Sequence, residues 1–325
     1  MPSTAITIVR RAADVPLAEV SALLFRAADS DGEPPLSEGK RLDLEHGGRK
    51  GFLALTARDG DGVLVGYAQA TLGQEGWGLE AVTDPGDEGA GSLRYELVRA
   101  AMGALYGDGN RVHYWVGSPS PAADAELGEL GLAPDRDQLQ MRVALPLPPE
   151  VVRAAAIAVR PFRPGKDDAA WLSVNNRAFA GHPEQGGWDL RTLRDRVEQP
   201  WFDPAGFLVH EVDGRLAGSC WTKVHPGTRP PMGEIYVISV DPDFHGRGLG
   251  RALTVAGLDW LAGQGYATGM LFTGASNAAA VGLYRSLGFT VHRLDRVYTL
   301  DPAGPTPAGA GSPQETPTPT ARPMP

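Results

Sequence analysis

Hydrophobic and polar positions follow the same order in the two long segments of the chain, and this order predicts a duplicated α/β fold. Apolar residues alternate with polar ones in the predicted strands and recur at helical spacing in the predicted helices. The first segment predicts strands over 6–10, 52–57, 63–72, 78–83, 112–116 and 139–145, and helices over 15–28, 35–46, 92–106 and 122–130. The second segment predicts strands over 157–163, 206–211, 216–224, 234–240, 270–273 and 289–300, and helices over 167–180, 190–199, 248–263 and 278–287. The repeated order indicates an internal duplication.

Shifts in composition divide the chain into two domains, a linker and a tail. A proline-rich stretch beginning at Pro146 interrupts both strand and helix ladders, so residues 147–156 are expected to link a first domain, 1–146, to a second, 157–301. Residues 302–325 are rich in Pro, Thr, Ala and Gly. Such a tail cannot bury enough apolar surface to fold, so it is expected to be disordered.

The overall composition fits a cytoplasmic protein whose partner is a small molecule. The 325 residues are 42% hydrophobic, which is enough for two cores of ordinary size. A net charge of −9 disfavours nucleic acid and anionic membranes, because both attract basic proteins. Cys220 is the only cysteine, which excludes an intramolecular disulfide and a cysteine-rich metal cluster. With no signal peptide or long apolar run in the sequence, we expect a cytoplasmic monomer that binds no metal.

The most informative stretch is a glycine-rich turn between a predicted strand and a predicted helix. It reads Gly233-Glu-Ile-Tyr-Val-Ile-Ser-Val-Asp-Pro-Asp-Phe-His-Gly-Arg-Gly-Leu-Gly-Arg251. The three glycines near its end allow backbone N–H groups to converge on a pyrophosphate at the positive end of the helix dipole, where Arg247 and Arg251 could pair with its oxygens. A plain flexible loop is the alternative. A Rossmann site or P-loop is not expected, because the turn follows the fourth strand of its segment and lacks the Lys-Ser/Thr pair.

The turn and the helices around it resemble the GNAT superfamily of acyl-CoA N-acyltransferases. The pyrophosphate loop of that superfamily reads Gln/Arg-x-x-Gly-x-Gly/Ala, and the run from His245 to Gly250 matches it with His in first place. A second GNAT motif follows at the expected distance, an Asn and then Leu283-Tyr-Arg-Ser-Leu-Gly-Phe289. The resemblance implies two tandem folds, each a mixed, mostly antiparallel sheet flanked by helices, with acetyl-CoA as co-substrate. The acetyl-CoA contacts that it implies are Ile238, Ser239, Val240, His245, Gly246, Arg247, Gly248, Leu249, Gly250, Arg251 and Asn277.

Two residues of these motifs are candidates for the acid–base chemistry of acetyl transfer. The acceptor amine must lose a proton before it attacks the thioester, and the leaving thiolate must gain one. Glu234 begins the strand that leads to the turn and is the candidate base, while Tyr284 is the candidate acid. Each has a structural alternative, because Glu234 could be a solvated carboxylate at a strand end and Tyr284 a core aromatic residue.

Three further segments resemble the mycothiol synthase family of tandem GNAT proteins, in which the C-terminal half is catalytic. They are Asn175-Asn-Arg-Ala-Phe-Ala-Gly-His-Pro-Glu-Gln-Gly186, Trp221-Thr-Lys-Val-His-Pro226 and Gly233-Glu-Ile-Tyr-Val237. The resemblance implies acetylation of the cysteinyl amine of desacetyl-mycothiol, a cysteinyl-glucosaminyl-inositol, to give mycothiol. It also implies acceptor contacts from Glu38, Glu184, Lys223 and Glu234, whose hydrogen-bonding groups suit a polyol. Phe272 stands where the family has a substrate-contacting Tyr, so one hydroxyl is missing from the expected site.

Structural alternatives also exist for the acceptor residues. Glu184 lies in a Pro/Gln/Gly loop and could be a solvated residue, and Lys223 could be a surface residue of its strand. His182 and His225 flank these motifs, and we interpret both as surface or packing residues rather than as ligands.

Two other functions remain open, and the first domain is expected to be catalytically silent. A GNAT enzyme acting on another small-molecule or peptide amine would keep the same turn and Tyr284. A non-enzymatic acyl-CoA-binding regulator would need neither Glu234 nor Tyr284, and their presence argues against it. In the first domain, Asp87 and Glu88 of the equivalent loop would repel phosphates, and no Asn and Tyr pair follows.

Overall fold

The computed structural model describes residues 6–11, 14–32, 34–47, 51–73, 75–87, 89–180 and 186–302. The predicted acceptor contact Glu184, together with His182, lies outside these residues. Glu88 of the first loop and the tail beyond residue 302 also lie outside them.

Strands and helices follow one another in both halves in nearly the order that the hydrophobic pattern predicts. The first half consists of β1 (Thr7–Arg11), α1 (Leu17–Asp31), α2 (Glu38–Glu45), β2 (Phe52–Arg58), β3 (Leu64–Gly73), β4 (Gly76–Thr83), α3 (Ala90–Leu105), β5 (Val112–Gly117), α4 (Pro121–Glu129) and β6 (Ala133–Ala144), and α5 (Pro149–Ala154) follows it. The second half consists of β7 (Arg160–Pro161), α6 (Asp168–Ala178), α7 (Leu190–Val197), β8 (Phe207–Val212), β9 (Arg215–His225), β10 (Met232–Val240), α8 (Leu249–Gly263), β11 (Thr268–Gly274), α9 (Ala278–Ser286) and β12 (Thr290–Leu300).

Three elements differ from the pattern. Strand β7 is only two residues long, and its Pro161 has no N–H to offer a ladder. Strand β6 begins at Ala133, earlier than predicted, because its polar first residues pair with β12. The predicted linker contains α5, which starts at Pro149, since the first N–H groups of a helix have no helical partner and proline is tolerated there.

Within the described ranges, the strands form a single twelve-stranded sheet in the order β1-β2-β3-β4-β5-β12-β6-β11-β10-β9-β8-β7. The last strand of each half has changed places with that of the other. Strand β12 pairs with β5 of the first half, and β6 pairs with β11 of the second. The proposed linker at 147–156 therefore separates two sequence repeats, each of which completes the sheet of the other.

Each half contains one pair of parallel strands that separates soon after it begins. Strands β4 and β5 pair at three positions, the last of them Leu79 with Tyr114. Strands β10 and β11 also pair at three positions, the last of them Ile235 with Leu271. Beyond these points the facing strand edges have no sheet partner, so their N–H and C=O groups are open to a ligand. The opening of the second half leads to the glycine-rich turn.

The two faces of the sheet are packed differently around β9 and β10. Helix α8 lies against one face, and Gly257 allows its close approach, because a Cβ there would lie 2.4 Å from Cys220 Sγ. The other face carries an aromatic cluster beneath α6 and α7, which includes Phe162, Trp171, Trp188, Phe207 and Trp221. Packing on both faces fixes the strands that carry the candidate catalytic residues.

Candidate active site

A cavity of about 1800 Å³ lies between the two halves and is lined by residues of both. This exceeds the roughly 300–1,000 Å³ of an ordinary ligand pocket and leaves room for two substrates. Of the residues named from the sequence, the lining includes Glu38, Lys223, Glu234, Ile238, Val240, His245, Gly246, Gly248, Leu249, Gly250, Arg251, Phe272, Asn277 and Tyr284. Ser239 is not in the lining, because its hydroxyl hydrogen-bonds to that of Ser219 at 2.9 Å inside the sheet. Arg247 is also outside the lining, and its guanidinium lies 5.1 Å from the ring centre of Phe244.

The turn between β10 and α8 has the backbone conformation of an anion-binding loop. Gly246 and Gly248 both have φ angles of +76°, a left-handed conformation that L side chains rarely adopt. Helix α8 begins at Leu249, so the positive end of its dipole is at the turn. Among the described residues, no acceptor takes the N–H groups of residues 246–251. The turn therefore fits a pyrophosphate.

Two side chains of the turn are held by neighbouring elements. His245 donates from Nε2 to the carbonyl of Val240 at 3.0 Å and so ties the turn back to β10. Through this contact, His245 at the first position of the loop helps to hold the turn in place. Arg251 donates to Ser286 Oγ of α9 at 2.8 Å, which keeps its guanidinium at the cavity wall.

Helix α9 carries the second motif on the side of the cavity. Asn277 caps the helix, with Oδ1 accepting from the Ala280 N–H at 3.1 Å. The Tyr284 ring packs 5.7 Å from that of Phe289, and within residues 6–302 as described its hydroxyl has no hydrogen-bond partner. Burial, with a smaller contribution from Cys220, raises the pKa of Tyr284 to about 12. The phenol therefore keeps its proton at physiological pH and can donate a hydrogen bond into the cavity.

A β-bulge in β10 brings three polar side chains together. The register with β9 shifts between Ile235 and Val237, which leaves Tyr236 as the extra residue. Glu234 stands just before the bulge, directly opposite Lys223 of β9. Glu234, Tyr236 and Lys223 consequently all border the cavity.

Glu234 is paired with a histidine that the sequence analysis set aside. His225 Nε2 lies 2.7 Å from Glu234 Oε2. The Glu234 side chain is 10% exposed, so it is not a solvated strand-end carboxylate. Its other oxygen, Oε1, has no partner in the part of the chain that the structure describes. The available signal for His225 was its place two residues after Lys223, on the same strand face.

Glu38 reaches from α2 of the first half to β9 and β10 of the second. Its Oε1 accepts from Lys223 Nζ at 2.7 Å, and its Oε2 accepts from the Tyr236 hydroxyl. Burial raises the pKa of Glu38, but the Lys223 ammonium and the hydrogen bonds from Lys223 and Tyr236 outweigh it, so the pKa lies below its usual value. The Tyr236 hydroxyl accepts in turn from Arg196 Nε of α7 at 2.9 Å. Sequence reasoning missed Tyr236 and Arg196, because only the bulge and the docking of α7 bring them to Glu38.

Phe272 lies where the opening between β10 and β11 begins. It is one residue beyond the last pair of these strands and borders the cavity. At this point the cavity wall therefore has an apolar ring in place of the hydroxyl that the family resemblance predicts.

The equivalent turn of the first half is closed by its own carboxylates. Asp84 Oδ1 accepts from the Gly86 N–H at 3.1 Å, and Asp87 Oδ1 accepts from the Gly89 N–H at 2.9 Å. Arg26 also binds Asp84, at 2.8 Å. The carboxylates take up N–H groups that could otherwise face an anion, and they add negative charge.

The described residues hold neither a membrane-spanning helix nor a cluster of metal ligands. None of the helices there is long and apolar enough to cross a bilayer. No group of three or more His, Cys, Asp or Glu side chains there is placed to hold a metal ion.

Gly248→Val is expected to weaken acetyl-CoA binding by at least about tenfold. The side chain would strain the backbone at φ +76° and move N–H groups whose charge-assisted hydrogen bonds are worth about 1.5–3 kcal/mol each. Calorimetric titration with acetyl-CoA measures the effect. Gly214→Val is the matched control, because Gly214 has a φ of +75° and equally open surroundings in the turn between β8 and β9. Equal losses of affinity in both variants, or no loss in a folded Gly248→Val, would contradict the assignment.

Comparison with known proteins agrees with this geometry. A model of the acetyltransferase (GNAT) family matches residues 171–289. A mycothiol acetyltransferase of Thermomonospora curvata is 44% identical over 295 residues, covering 89% of this chain and 95% of that protein. One of Cellulomonas flavigena is 42% identical over 338 residues, covering 98% and 95%. A solved tandem GNAT protein from the clavulanic acid biosynthesis pathway has a TM-score of 0.65 at 16% identity, covering 93% of this chain and 100% of that one, and it shows the fold alone.

Together, the duplicated fold, the glycine-rich turn and the similarity to GNAT proteins define an acetyl-CoA-dependent N-acetyltransferase of the tandem GNAT type. The predicted fold class is thereby confirmed. The chain belongs to the mycothiol acetyltransferase family, whose curated members it matches over nearly their whole length.

Proposed function

We propose that this protein transfers the acetyl group of acetyl-CoA to the cysteinyl amine of desacetyl-mycothiol, giving mycothiol and CoA. The observation that carries the proposal is the shared cavity, which joins the pyrophosphate turn and Tyr284 to the polar cluster of Glu38, Lys223 and Glu234. Identity of 42–44% with mycothiol acetyltransferases over most of the chain supports this choice of acceptor.

Different residues of the cavity would bind acetyl-CoA, deprotonate the acceptor and stabilise the leaving sulfur. Acetyl-CoA supplies an activated thioester when bound, and the N–H groups of residues 246–251 would hold its pyrophosphate. Glu234 would take the proton of the acceptor ammonium on Oε1, because Oε2 is bound to His225. Tyr284 would donate a hydrogen bond to the sulfur as it leaves. Such groups act through position as well as proton affinity, and the fixed strands β9 and β10 supply the position.

The polar cluster would bind the sugar and inositol hydroxyls of the acceptor. A carboxylate accepts about four hydrogen bonds, so Glu38 retains capacity beyond its bonds to Lys223 and Tyr236. The Lys223 ammonium has three donors, of which Glu38 uses one. Glu184 remains a predicted contact outside the described residues, and Phe272 would meet the acceptor with an apolar ring.

The test is turnover with a panel of amines. CoA release is followed by chromatography, because desacetyl-mycothiol carries a thiol of its own that would disturb a thiol assay. The panel holds desacetyl-mycothiol, glucosaminyl-inositol without the cysteine, an aminoglycoside and a peptide amine. We expect the highest kcat/KM for desacetyl-mycothiol. A higher kcat/KM with another amine would show that this amine, and not desacetyl-mycothiol, is the acceptor. No turnover with any amine would favour an acyl-CoA-binding regulator.

Glu38→Ala is expected to raise the KM for the acceptor while leaving acetyl-CoA affinity unchanged. The variant removes one acceptor contact and leaves Lys223 without its partner, a loss of about 1–3 kcal/mol, or roughly five- to 150-fold. Steady-state kinetics with each substrate varied in turn measures it. Glu45→Ala, on the same helix and paired with Arg41 in solvent, is the control. An unchanged acceptor KM in Glu38→Ala would show that Glu38, and with it helix α2 of the first half, does not bind the acceptor.

We further propose that the first half does not catalyse acetyl transfer. The bonds of Asp84 and Asp87 to their own turn, and the lack of an Asn and Tyr pair after it, support this. A cytoplasmic location, a monomeric state and the lack of a nucleic-acid partner stay predictions from composition.

A further inference from the structure

The pairing of His225 with Glu234 is set by the register of two strands. In the antiparallel pair of β9 and β10, Glu234 stands opposite Lys223, and His225 stands opposite Met232. His225 is thus the diagonal neighbour of Glu234 on the cavity side, within reach of a long side chain. The Nε2 to Oε2 distance of 2.7 Å shows that this reach is used.

The direction of this hydrogen bond follows from the chemistry of the two groups. An ionised carboxylate only accepts hydrogen bonds, so Nε2 carries the proton and donates a hydrogen bond to Oε2. This contact occupies one oxygen of Glu234, a residue of the cavity wall, and leaves Oε1 available to a ligand. The end of β9 is fixed at the same point, because Thr228 Oγ1 donates to the His225 carbonyl at 2.8 Å. His225 is therefore held in place from its backbone as well as through its ring.

The other charged groups around His225 are engaged elsewhere. Lys223, two residues earlier on β9, is bound to Glu38 of α2. Arg229, in the turn after β9, lies 3.5 Å from Asp29 of α1. In the chain as described, His225 is the residue that hydrogen-bonds to Glu234, and its own side chain is largely buried, with 14% exposed.

We propose that His225 is a positioning residue that aims Glu234 at the acceptor amine. The inference rests on the proposed function, in which Glu234 is that base. Oε1 takes one proton from the acceptor ammonium, and the nitrogen keeps its electron pair. That pair forms the bond to the acetyl carbon, and the carbon–sulfur bond breaks with its electrons passing to sulfur. The nitrogen gives up a second proton as it becomes the amide, and the sulfur gains one, so CoA leaves as the thiol and the net proton released stays on Oε1. His225 orients the carboxylate through its hydrogen bond to Oε2.

Two substitutions test the hydrogen bond from His225. His225→Gln keeps a neutral N–H donor near the place of Nε2, and His225→Leu removes it. We expect His225→Leu to lower kcat by about tenfold to a hundredfold with unchanged acetyl-CoA affinity, because the carboxylate is no longer held in position. His225→Gln should keep a kcat close to that of the wild type, because its amide N–H can donate to the same carboxylate oxygen.

The measurement is kcat and the KM of each substrate for the three proteins, with the amine that the wild type acetylates fastest, after circular dichroism and thermal melting have shown that each is folded. We expect the loss in His225→Leu to appear in kcat, and the donor kept in His225→Gln to rescue it. A kcat of His225→Gln as low as that of His225→Leu would overturn the inference, as would wild-type kcat in His225→Leu. Near-normal turnover by Glu234→Gln would instead refute the proposed role of Glu234, so the two failures can be told apart.

Discussion

Replacing Glu234 with Gln is expected to lower kcat by about a hundredfold to ten-thousandfold, the usual contribution of a positioned general base. The amide keeps the size of the side chain and can still bond to His225, but it cannot accept the ammonium proton. Because Glu234 borders the cavity and its Oε2 is held by His225 at 2.7 Å, the loss should appear in kcat rather than in acetyl-CoA affinity.

The loss of kcat in Glu234→Gln is expected to depend on pH. At low pH the acceptor amine is protonated and needs the base, whereas at high pH it is already neutral in solution. The deficit of the variant in kcat should therefore be largest at low pH and should narrow as the pH rises. Glu211→Gln is the control, because Glu211 is a partly exposed carboxylate on β8 that pairs with Arg160 outside the cavity. A pH-independent deficit, or near-normal kcat, would make Glu234 a structural residue.

Tyr284→Phe is expected to lower kcat by about a hundredfold to a thousandfold, as found when one donor to a developing charge is removed. Burial raises the pKa of Tyr284 to about 12, whereas an alkyl thiol has a pKa of about 8.5, so full transfer of the phenol proton to the thiolate is uphill by about 5 kcal/mol. The phenol would therefore act as a hydrogen-bond donor to the departing sulfur.

This role of Tyr284 differs from that of Glu234 in its pH dependence. A group with a pKa of about 12 keeps its proton across the working range, so the ratio of wild-type to Tyr284→Phe kcat should not change with pH. Single-turnover kinetics measures the chemical step, and titration should find acetyl-CoA affinity nearly unchanged. Tyr266→Phe, beyond α8 and away from the cavity, is the control. Unimpaired single-turnover rates in Tyr284→Phe would leave the ring as core packing alone.

The sequence by itself determined the parts of the site that one contiguous segment builds. The turn after β10 needs glycine at 246 and 248, because the backbone there is left-handed, and this requirement is visible in the residue types. Asn277 and Tyr284 belong to one short helix, so their spacing alone places both on it. The hydrophobic period likewise determined most strands and helices, since it reports which face of each element is buried.

Only the tertiary structure decided which distant residues meet. Glu38 and Lys223 are 185 positions apart, and their ion pair depends on how the two halves dock. His225 reaches Glu234 through the register of β9 and β10, and Tyr236 reaches Glu38 through a bulge, neither of which a hydrophobic pattern specifies. The exchange of β6 and β12 between the halves was likewise decided by the tertiary structure. Each strand has the hydrophobic pattern of its own half. Backbone hydrogen bonds do not depend on side-chain identity, so the packing of the whole sheet selects the partner strand.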